Sequence, residues 1–383
     1  MSRIHKVNFF FAGIILLVDT LNGFFLFKGI NIPVSQGFKL MFTFSMAGGL
    51  LLLSNNKFFV WFFLFVFFAL FSNIPSLISN PEEIIDSLIF SQKFLFTVLT
   101  YFYFTEYFKA SNALNFNLIF ISNLSVIALN MFFSIIGIGY FAYSNGVGFT
   151  GFFFAPNEIS FVVLIIFSHL LYEVKVYRPK YLMIIFILFL IMSILLAMKV
   201  VILGVFLISL FIFFSGKFAM KKIGLVMFAS LFVVFLLFKY SVLFESFINM
   251  IVHRYNSSDS LINFVLSGRD NFLIEELNYF LNSSAIFLLF GLGISVTVEM
   301  DFFDVLFNYG LIGFIIIYLF FAYVALSFRK KQNNSDSRFL LLVNILIIIT
   351  SLFVGHFVFS AMGGFFFAYF NAVQRNRINL LSD

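Results

Sequence analysis

Long apolar runs separated by short polar segments dominate the chain. A helix needs about 20 mostly apolar residues to cross the hydrocarbon core of a bilayer. Runs of this kind cover 7–27, 37–53, 58–74, 88–105, 116–139, 158–172, 181–198, 200–214, 223–238, 304–328, 338–355 and 357–372. Some of them are short, so a total between ten and thirteen fits the pattern. We therefore predict an all-α, polytopic integral membrane protein with about twelve transmembrane helices, forming a single domain over 1–383.

The composition supports this class. The chain is 62% hydrophobic and 10% charged, whereas soluble domains have about 45–50% apolar and about 25% charged residues. With no cysteine, the protein has no disulfide, thiolate metal site or cysteine nucleophile. The formal charge of +6 does not indicate nucleic-acid binding in a membrane protein. The basic start leads into an apolar run without a small-residue cleavage site, so we expect the first span to be retained.

The distribution of Lys and Arg predicts the orientation, because short cytoplasmic loops are enriched in both residues. Sixteen of the 23 Lys and Arg residues fall in the two tails and in alternate short loops, on the side that contains both termini. We therefore expect both termini to be cytoplasmic. Most acidic residues lie on the opposite, outer side, so any chemistry is expected to face outward.

The longest segment outside the predicted spans is 239–303, between spans nine and ten. Loops longer than about 12–15 residues in compact proteins tend to be functional or disordered. This one carries apolar residues at helical spacing from Phe272 to Leu281, and Ser267 with Asp270 matches a capping box. We predict a large extracytoplasmic loop that contains a short helix over about 268–282.

Three basic residues on the outer side are candidate phosphate ligands. Arg269 lies in the first turn of the predicted loop helix, where the helix dipole and free N–H groups favour an anion. The guanidinium fork matches phosphate oxygens, which a lysine cannot do. Arg254 offers a second cation and Lys199 a third. Each of these residues also has a structural alternative. Arg269 would pair with a nearby acid, Arg254 would anchor the protein at the level of the lipid headgroups, and Lys199 would only mark the turn between two spans.

Three carboxylates lie where the long loop re-enters the membrane: Glu299, Asp301 and Asp304. In a helix Asp301 and Asp304 share a face. Repulsion within such a cluster makes one carboxylate a better general base, and hard oxygen ligands also suit a divalent cation. The alternative is a solvated helix start, with acids near the positive end of the dipole.

Two further residues are weaker candidates. His356 lies at the outer end of predicted span eleven, and Asn157 follows Pro156 in a turn that leads into span six. Lone histidines are usually structural, and the four histidines have no zinc-ligand spacing. No metal or other cofactor is therefore expected.

Taken together, these segments resemble the O-antigen polymerase and ligase superfamily, and more closely its Wzy-type polymerase branch. The resemblance spans most of the chain and rests on 151–158, Ser267-Gly268-Arg269, 289–293, the Glu299-x-Asp301-x-x-Asp304 pattern, 310–313 and Gly355-His356. There are departures: Val147 to Phe149 stand where relatives often have an arginine, and Lys199 where they often have Ser-Arg. Related ligases tend to have a histidine where Glu299 stands, which favours a polymerase.

The resemblance implies a helical membrane glycosyltransferase of the bacterial cytoplasmic membrane that polymerises polyprenyl-pyrophosphate-linked oligosaccharides. Because nucleotide-sugars are absent outside the cytoplasm, such an enzyme draws its driving force from a lipid pyrophosphate. In this interpretation Arg269, Arg254 and Lys199 bind the pyrophosphate, and Glu299 or Asp301 removes a proton from an acceptor hydroxyl. Substrate-positioning groups complete the set: His356, Asn157 and Asp304. Implied partners are membrane lipid, a chain-length regulator and a flippase.

Three alternatives remain open. A ligase would transfer the glycan to another acceptor, and the sequence does not separate acceptors. A flippase is expected to show two similar halves and charges within its spans, whereas in this chain the ionisable residues are expected to gather at one outer mouth and the long loop lies in the second half only. A metal-dependent transferase would use the three carboxylates as ligands.

Overall fold

The computed structural model describes residues 3–53, 56–72, 84–111, 116–143, 146–214, 248–249, 251–253, 255–266, 268–293, 298–327, 335–353, 355, 357–358 and 360–380. The predicted span 223–238 lies outside these residues. So do two residues of the predicted site, Arg254 and His356, and Ser267 of the predicted capping box.

The described part of the chain is mostly helical, as predicted. Its helices are α1 (Arg3–Phe27), α2 (Val34–Leu53), α3 (Asn56–Ser72), α4 (Ile84–Ser111), α5 (Asn117–Ile135), α6 (Pro156–Tyr177), α7 (Leu182–Leu196), α8 (Lys199–Phe214), α9 (Leu261–Leu266), α10 (Arg269–Leu281), α11 (Ala285–Phe290), α12 (Asp301–Leu326), α13 (Ser335–Phe353) and α14 (Ala361–Leu380). A 3-10 turn, Pro179–Tyr181, precedes α7.

Six described helices are long and apolar enough to cross a membrane: α1, α2, α5, α6, α7 together with its 3-10 turn, and α12. Shorter apolar stretches lie in α8, at Lys199–Phe213, and in α13, at Ser337–Leu352. Every predicted span other than 223–238 overlaps a helix. The membrane class is therefore supported, while the total of about twelve spans stays a prediction.

Three helices form the centre of the molecule. The helix α14 packs along α4 and also along α6, and nearly all its side chains are buried. Close packing requires Gly364, because a side chain there would overlap Thr97 of α4. Peripheral helices such as α1 and α2 expose large apolar residues on one side. Because α14 is buried on all sides, it belongs to the core of the molecule. The apolar faces that α1 and α2 expose are the faces expected to meet lipid.

The described part of the chain also contains one small hairpin that the sequence analysis did not predict. The strands β1 (Tyr140–Phe141) and β2 (Phe149–Gly151) pair antiparallel between α5 and α6. The hairpin is anchored on α5, since Gly151 N–H donates to Ser134 Oγ at 2.6 Å and Phe152 N–H to Asn130 Oδ1 at 2.9 Å. Pro156 then begins α6, where its missing N–H has no cost.

The described part of 239–303 contains α9, α10 and α11. The helices α10 and α11 pack on the start of α12, and α9 packs on α10, around a small core of Phe280, Val298, Met300 and Phe307. The glycine segments 289–293 and 310–313 meet here: a side chain at Gly291 would overlap Asn308, and Gly310 has a φ of 63° that interrupts α12. The segment thus folds onto the membrane helices, and its position outside the membrane stays a prediction.

The helices have two ends with different polar residues. We call the end where α1 stops and α2, α6, α12 and α14 begin the loop end. The other, where α1 begins and α4, α6 and α14 stop, is the terminal end. Contacts define both: Ser360 of the α13–α14 connection donates to Glu158 at the loop end, and Tyr369 donates to the Phe116 carbonyl at the terminal end.

Candidate functional site

Arg269 and Glu299 form an ion pair at the loop end. The Nη2 of Arg269 lies 2.7 Å from Oε2 of Glu299, and its Nε lies 3.3 Å from the same oxygen. The predicted helix is present as α10, beginning at Arg269 after Gly268, whose φ is 82°. Asp270 instead accepts a hydrogen bond from Asn263 Nδ2 at 2.9 Å. The partner of Arg269 is thus an acid thirty residues away, which the sequence did not indicate.

The Glu299 backbone is strained. Its φ is 59°, a left-handed conformation that costs a residue with a side chain about 1–3 kcal/mol. The Glu299 carbonyl accepts the N–H of Gly355 at 2.7 Å, and a side chain at Gly355 would overlap the Glu299 backbone. Strain of this kind clusters at functional sites. Here it turns the Glu299 carboxylate toward Arg269.

The other two carboxylates have a setting different from the predicted one. Asp301 is fully buried, and its Oδ2 accepts the N–H groups of Phe357 at 2.8 Å and Val358 at 2.9 Å. Asp304, 2% exposed, reaches back to the N–H groups of Val298 at 2.6 Å and Met300 at 3.0 Å. Asp301 therefore holds the α13–α14 connection against the start of α12, and Asp304 holds the segment just before α12. Of the three predicted acids, Glu299 is the accessible one, with its side chain 52% exposed.

Lys199 lies at the α7–α8 corner, as predicted, and is the first residue of α8. Its ammonium lies over the Phe264 ring, 4.9 Å from the ring centre. This cation–π contact brings the corner against α9, which directly precedes Arg269 in the chain. The structure thus places Lys199 next to the segment that carries Arg269.

Asn157 lies in the first turn of α6, half-buried beside Glu158. Glu158 accepts a hydrogen bond from Ser360 Oγ at 2.6 Å. The predicted ligands Arg254 and His356 fall outside the described residues. For these two residues the roles stay predictions.

The α13–α14 connection, 355–360, joins the parts of the site. Gly355 binds the Glu299 backbone, Phe357 and Val358 bind Asp301, and Ser360 binds Glu158. The start of α6, the start of α12 and this connection therefore meet, although they are about 60 to 200 positions apart in the chain. His356 belongs to the same connection.

Next to this connection the structure contains a charged pocket that sequence reasoning missed. The cavity of about 240 Å³ is lined by ionisable and polar groups that include Asp19, Lys39, Gln92, Lys93 and Glu158. Asp19 pairs with Lys39 at 2.7 Å and also accepts a hydrogen bond from Ser35. The sequence did contain a signal for this pocket, because Asp19 and Lys93 interrupt apolar runs. Ionisable residues inside membrane spans are functional candidates.

The pocket corrects the view that ionisable residues lie only at an outer mouth. Asp19, Lys39 and Lys93 belong to the helices α1, α2 and α4, one to three turns from their loop ends. Charges within helices are a feature expected of transporters, so a transporter stays an open alternative.

In the part of the chain that the structure describes, no three His, Cys, Asp or Glu side chains come together as metal ligands. The predicted acidic ligand set is divided, since Asp301 and Asp304 use oxygens to accept backbone N–H groups. Glu299, Asp301 and Asp304 therefore do not share one ligand set in this structure, and Glu299 forms an ion pair with Arg269 instead.

Comparisons of the chain with protein-family models, with curated proteins and with solved structures give no match.

Proposed function

We propose that this protein is a membrane glycosyltransferase that polymerises polyprenyl-pyrophosphate-linked oligosaccharide repeat units on the outer face of the bacterial cytoplasmic membrane. One observation carries the proposal: a largely buried arginine, with its side chain 17% exposed, is paired with an accessible carboxylate on a strained backbone. A guanidinium suits a pyrophosphate, and a carboxylate suits a sugar hydroxyl as general base. The proposed substrates require both groups together.

The donor is proposed to bind at Arg269. The first turn of α10 adds free N–H groups and the positive end of a helix dipole. Phosphate oxygens would replace Glu299 on the guanidinium fork, since both ligands use the same donors. Lys199, on the neighbouring corner, and Arg254 supply further positive charge that stabilises the leaving pyrophosphate.

This exchange would free Glu299 to act as the base. The acceptor hydroxyl oxygen bonds to the anomeric carbon, the bond from that carbon to the pyrophosphate oxygen breaks, and the polyprenyl pyrophosphate leaves with the electron pair. The hydroxyl proton passes to Glu299. Asn157 and His356 are proposed to position the acceptor. Asp301 and Asp304 act as positioning residues, because they hold the backbone on both sides of Glu299.

The glycan that accumulates in a deletion strain tests this function. We expect single lipid-linked repeat units, exposed outside and unpolymerised, with long chains restored by the wild-type gene. Long unattached chains would show a ligase. Repeat units trapped in the cytoplasm would show a flippase and contradict the proposal.

A transporter is the second candidate, and the charged pocket favours it. Ionisable groups inside helix bundles commonly mark substrate or ion pathways. The strained Glu299 and its pairing with Arg269 at one end favour the transferase instead, since a transporter has no need of a base held at one mouth.

A further inference from the structure

The charged pocket at the loop end has properties of a ligand site. Its lining carries two cations and two carboxylates, Lys39, Lys93, Asp19 and Glu158, so its formal charge is zero. The amide groups of Asn22, Gln36 and Gln92 also line it. Its volume of about 240 Å³ lies just below the about 300–1,000 Å³ of sites for drug-sized molecules. This is the size of site that suits one ring, not a whole oligosaccharide.

Two polar groups in the pocket still have capacity for hydrogen bonds. Asp19 is 8% exposed, and its Oδ2 has no hydrogen-bond partner among the described residues. Lys93 rests its ammonium over the Phe90 ring at 4.2 Å. A lysine ammonium has three N–H donors, so it can also donate to a ligand in the pocket. A buried carboxylate oxygen without a partner is costly, so a ligand group is expected to satisfy it.

The ligand must donate to one group and accept from the other. An anion would suit Lys93 but repel Asp19, and a cation would do the reverse. Hydroxyl groups both donate and accept, and two on one ring can serve both residues. We propose that this pocket binds an uncharged sugar ring, with one hydroxyl donating to Asp19 Oδ2 and another accepting from Lys93.

The position of the pocket suggests which sugar this is, and this step rests on the proposed function. Glu158 of the pocket wall binds Ser360, and the connection that contains Ser360 begins at Gly355, against Glu299. A ring held here lies beside the same connection that orients the proposed base. The pocket would anchor one ring of the acceptor repeat unit while another hydroxyl of that unit reaches Glu299.

Cysteine protection tests the site, because the chain has no cysteine of its own. Gln36→Cys and Phe154→Cys place single reporters on exposed residues of the pocket lining. The purified full-length protein in nanodiscs is labelled with a maleimide in the presence of repeat-unit oligosaccharides released from the polysaccharide of the host strain. Inorganic phosphate is the comparison ligand. We expect the oligosaccharide to slow labelling at both positions and phosphate to have no effect.

Pocket variants and a matched control sharpen the result. Lys93→Gln or Asp19→Asn should raise the half-protecting concentration at least about tenfold, as expected for the loss of a charged hydrogen bond. Lys28→Gln changes a lysine at the same end that lies over Phe24 and Phe27, outside the pocket lining, and should leave protection unchanged. Protection by phosphate alone, protection that survives both pocket variants, or no protection at either cysteine would overturn the site.

The Arg269→Lys background separates this site from the proposed function. There we expect sugar protection to persist while polymer is lost. Persistent protection with normal polymer would support sugar binding in the pocket and contradict the proposed role of Arg269. Absent protection with lost polymer would contradict sugar binding in the pocket and leave the proposed transferase function standing.

Discussion

The two ends of the molecule use similar polar residues in opposite ways. At the terminal end, His169 lies between Asn117 at 2.8 Å and Gln374 at 3.0 Å. Glu173 there pairs with Arg377, and both side chains are about 90% buried. The Arg377 guanidinium is also enclosed by the rings of Phe116, Tyr172 and Tyr177.

At the loop end, by contrast, one carboxylate is accessible and another is buried without a full set of partners. Glu299 is half exposed on a strained backbone. Within the described residues, Asp19 of the charged pocket keeps one carboxylate oxygen without a hydrogen-bond partner. Charged residues thus have two different settings in this set of helices. At the terminal end they tie α5, α6 and α14 together, whereas at the loop end the accessible Glu299 is the residue that the proposed function uses.

The two ends are expected to differ most in whether a reagent outside the cell can reach them. Single cysteines replacing Ser257, in the long loop, and Ser335, at the start of α13, should differ completely toward an impermeant maleimide in intact cells. We expect labelling at 257 and none at 335 until the cells are opened, because the basic residues predict a cytoplasmic terminal end. The reverse pattern would put Arg269 and Glu299 on the cytoplasmic side of the membrane and so contradict the proposed function, which requires them outside.

Breaking the terminal-end pair should chiefly reduce stability. Glu173→Gln leaves a buried arginine without its counter-charge, which costs about 3–5 kcal/mol in free energy of unfolding. Thermal unfolding of the detergent-purified protein measures this loss. Lys109→Gln is the control, because its pair with Glu106 is exposed and such pairs contribute about 0–1 kcal/mol. Equal melting temperatures for the two variants would contradict the structural role of the pair.

Arg269→Lys should impair function and leave the fold intact. Loss of the bidentate contact to pyrophosphate should cost about 2–3 kcal/mol, or roughly 30- to 150-fold in rate. Polymer length on gels, normalised to the amount of protein in the membrane, measures this effect. Arg178→Lys, a conservative change in a terminal-end loop, should leave chain length unchanged. Full-length polymer in a stably expressed Arg269→Lys strain would make Arg269 merely structural.

Asp304→Asn should behave as a stability variant although it lies five residues from Glu299. The amide keeps one acceptor oxygen for the two N–H groups that Asp304 now binds, and one unmade hydrogen bond costs about 1–3 kcal/mol. We expect a lower melting temperature with most activity per folded molecule retained. Unchanged stability with abolished turnover would place Asp304 in the chemistry.

The sequence predicted the elements better than the contacts between them. The helix α10 was predicted over 268–282 and spans Arg269–Leu281, because its apolar residues follow helical spacing. The predicted span 116–139 was too long, since α5 ends at Ile135 before Gly137 and Gly139, which have positive φ. The hairpin that follows was missed because its strands are only two and three residues long.

The site was also predicted only in part, because the sequence does not show which distant residues come together. Arg269 and Glu299 were identified by residue type and position, but their pairing depends on the path of the chain between them. The sequence offered both Glu299 and Asp301 as the base, and their burial and backbone contacts separate them in the structure. The pocket brings Asp19 of α1 next to Glu158 of α6, and no local pattern encodes that contact.

The most direct test of the central claim is the polymerisation rate of purified Glu299→Gln with lipid-linked repeat units. Glutamine keeps the shape of the side chain but cannot take a proton. We predict that the variant binds the repeat units, has the wild-type melting temperature and forms no polymer, while the wild-type enzyme keeps its rate in EDTA. Wild-type polymerisation by Glu299→Gln, or a wild-type rate abolished by EDTA and restored by Mg²⁺ or Mn²⁺, would contradict the assignment of Glu299 as the base.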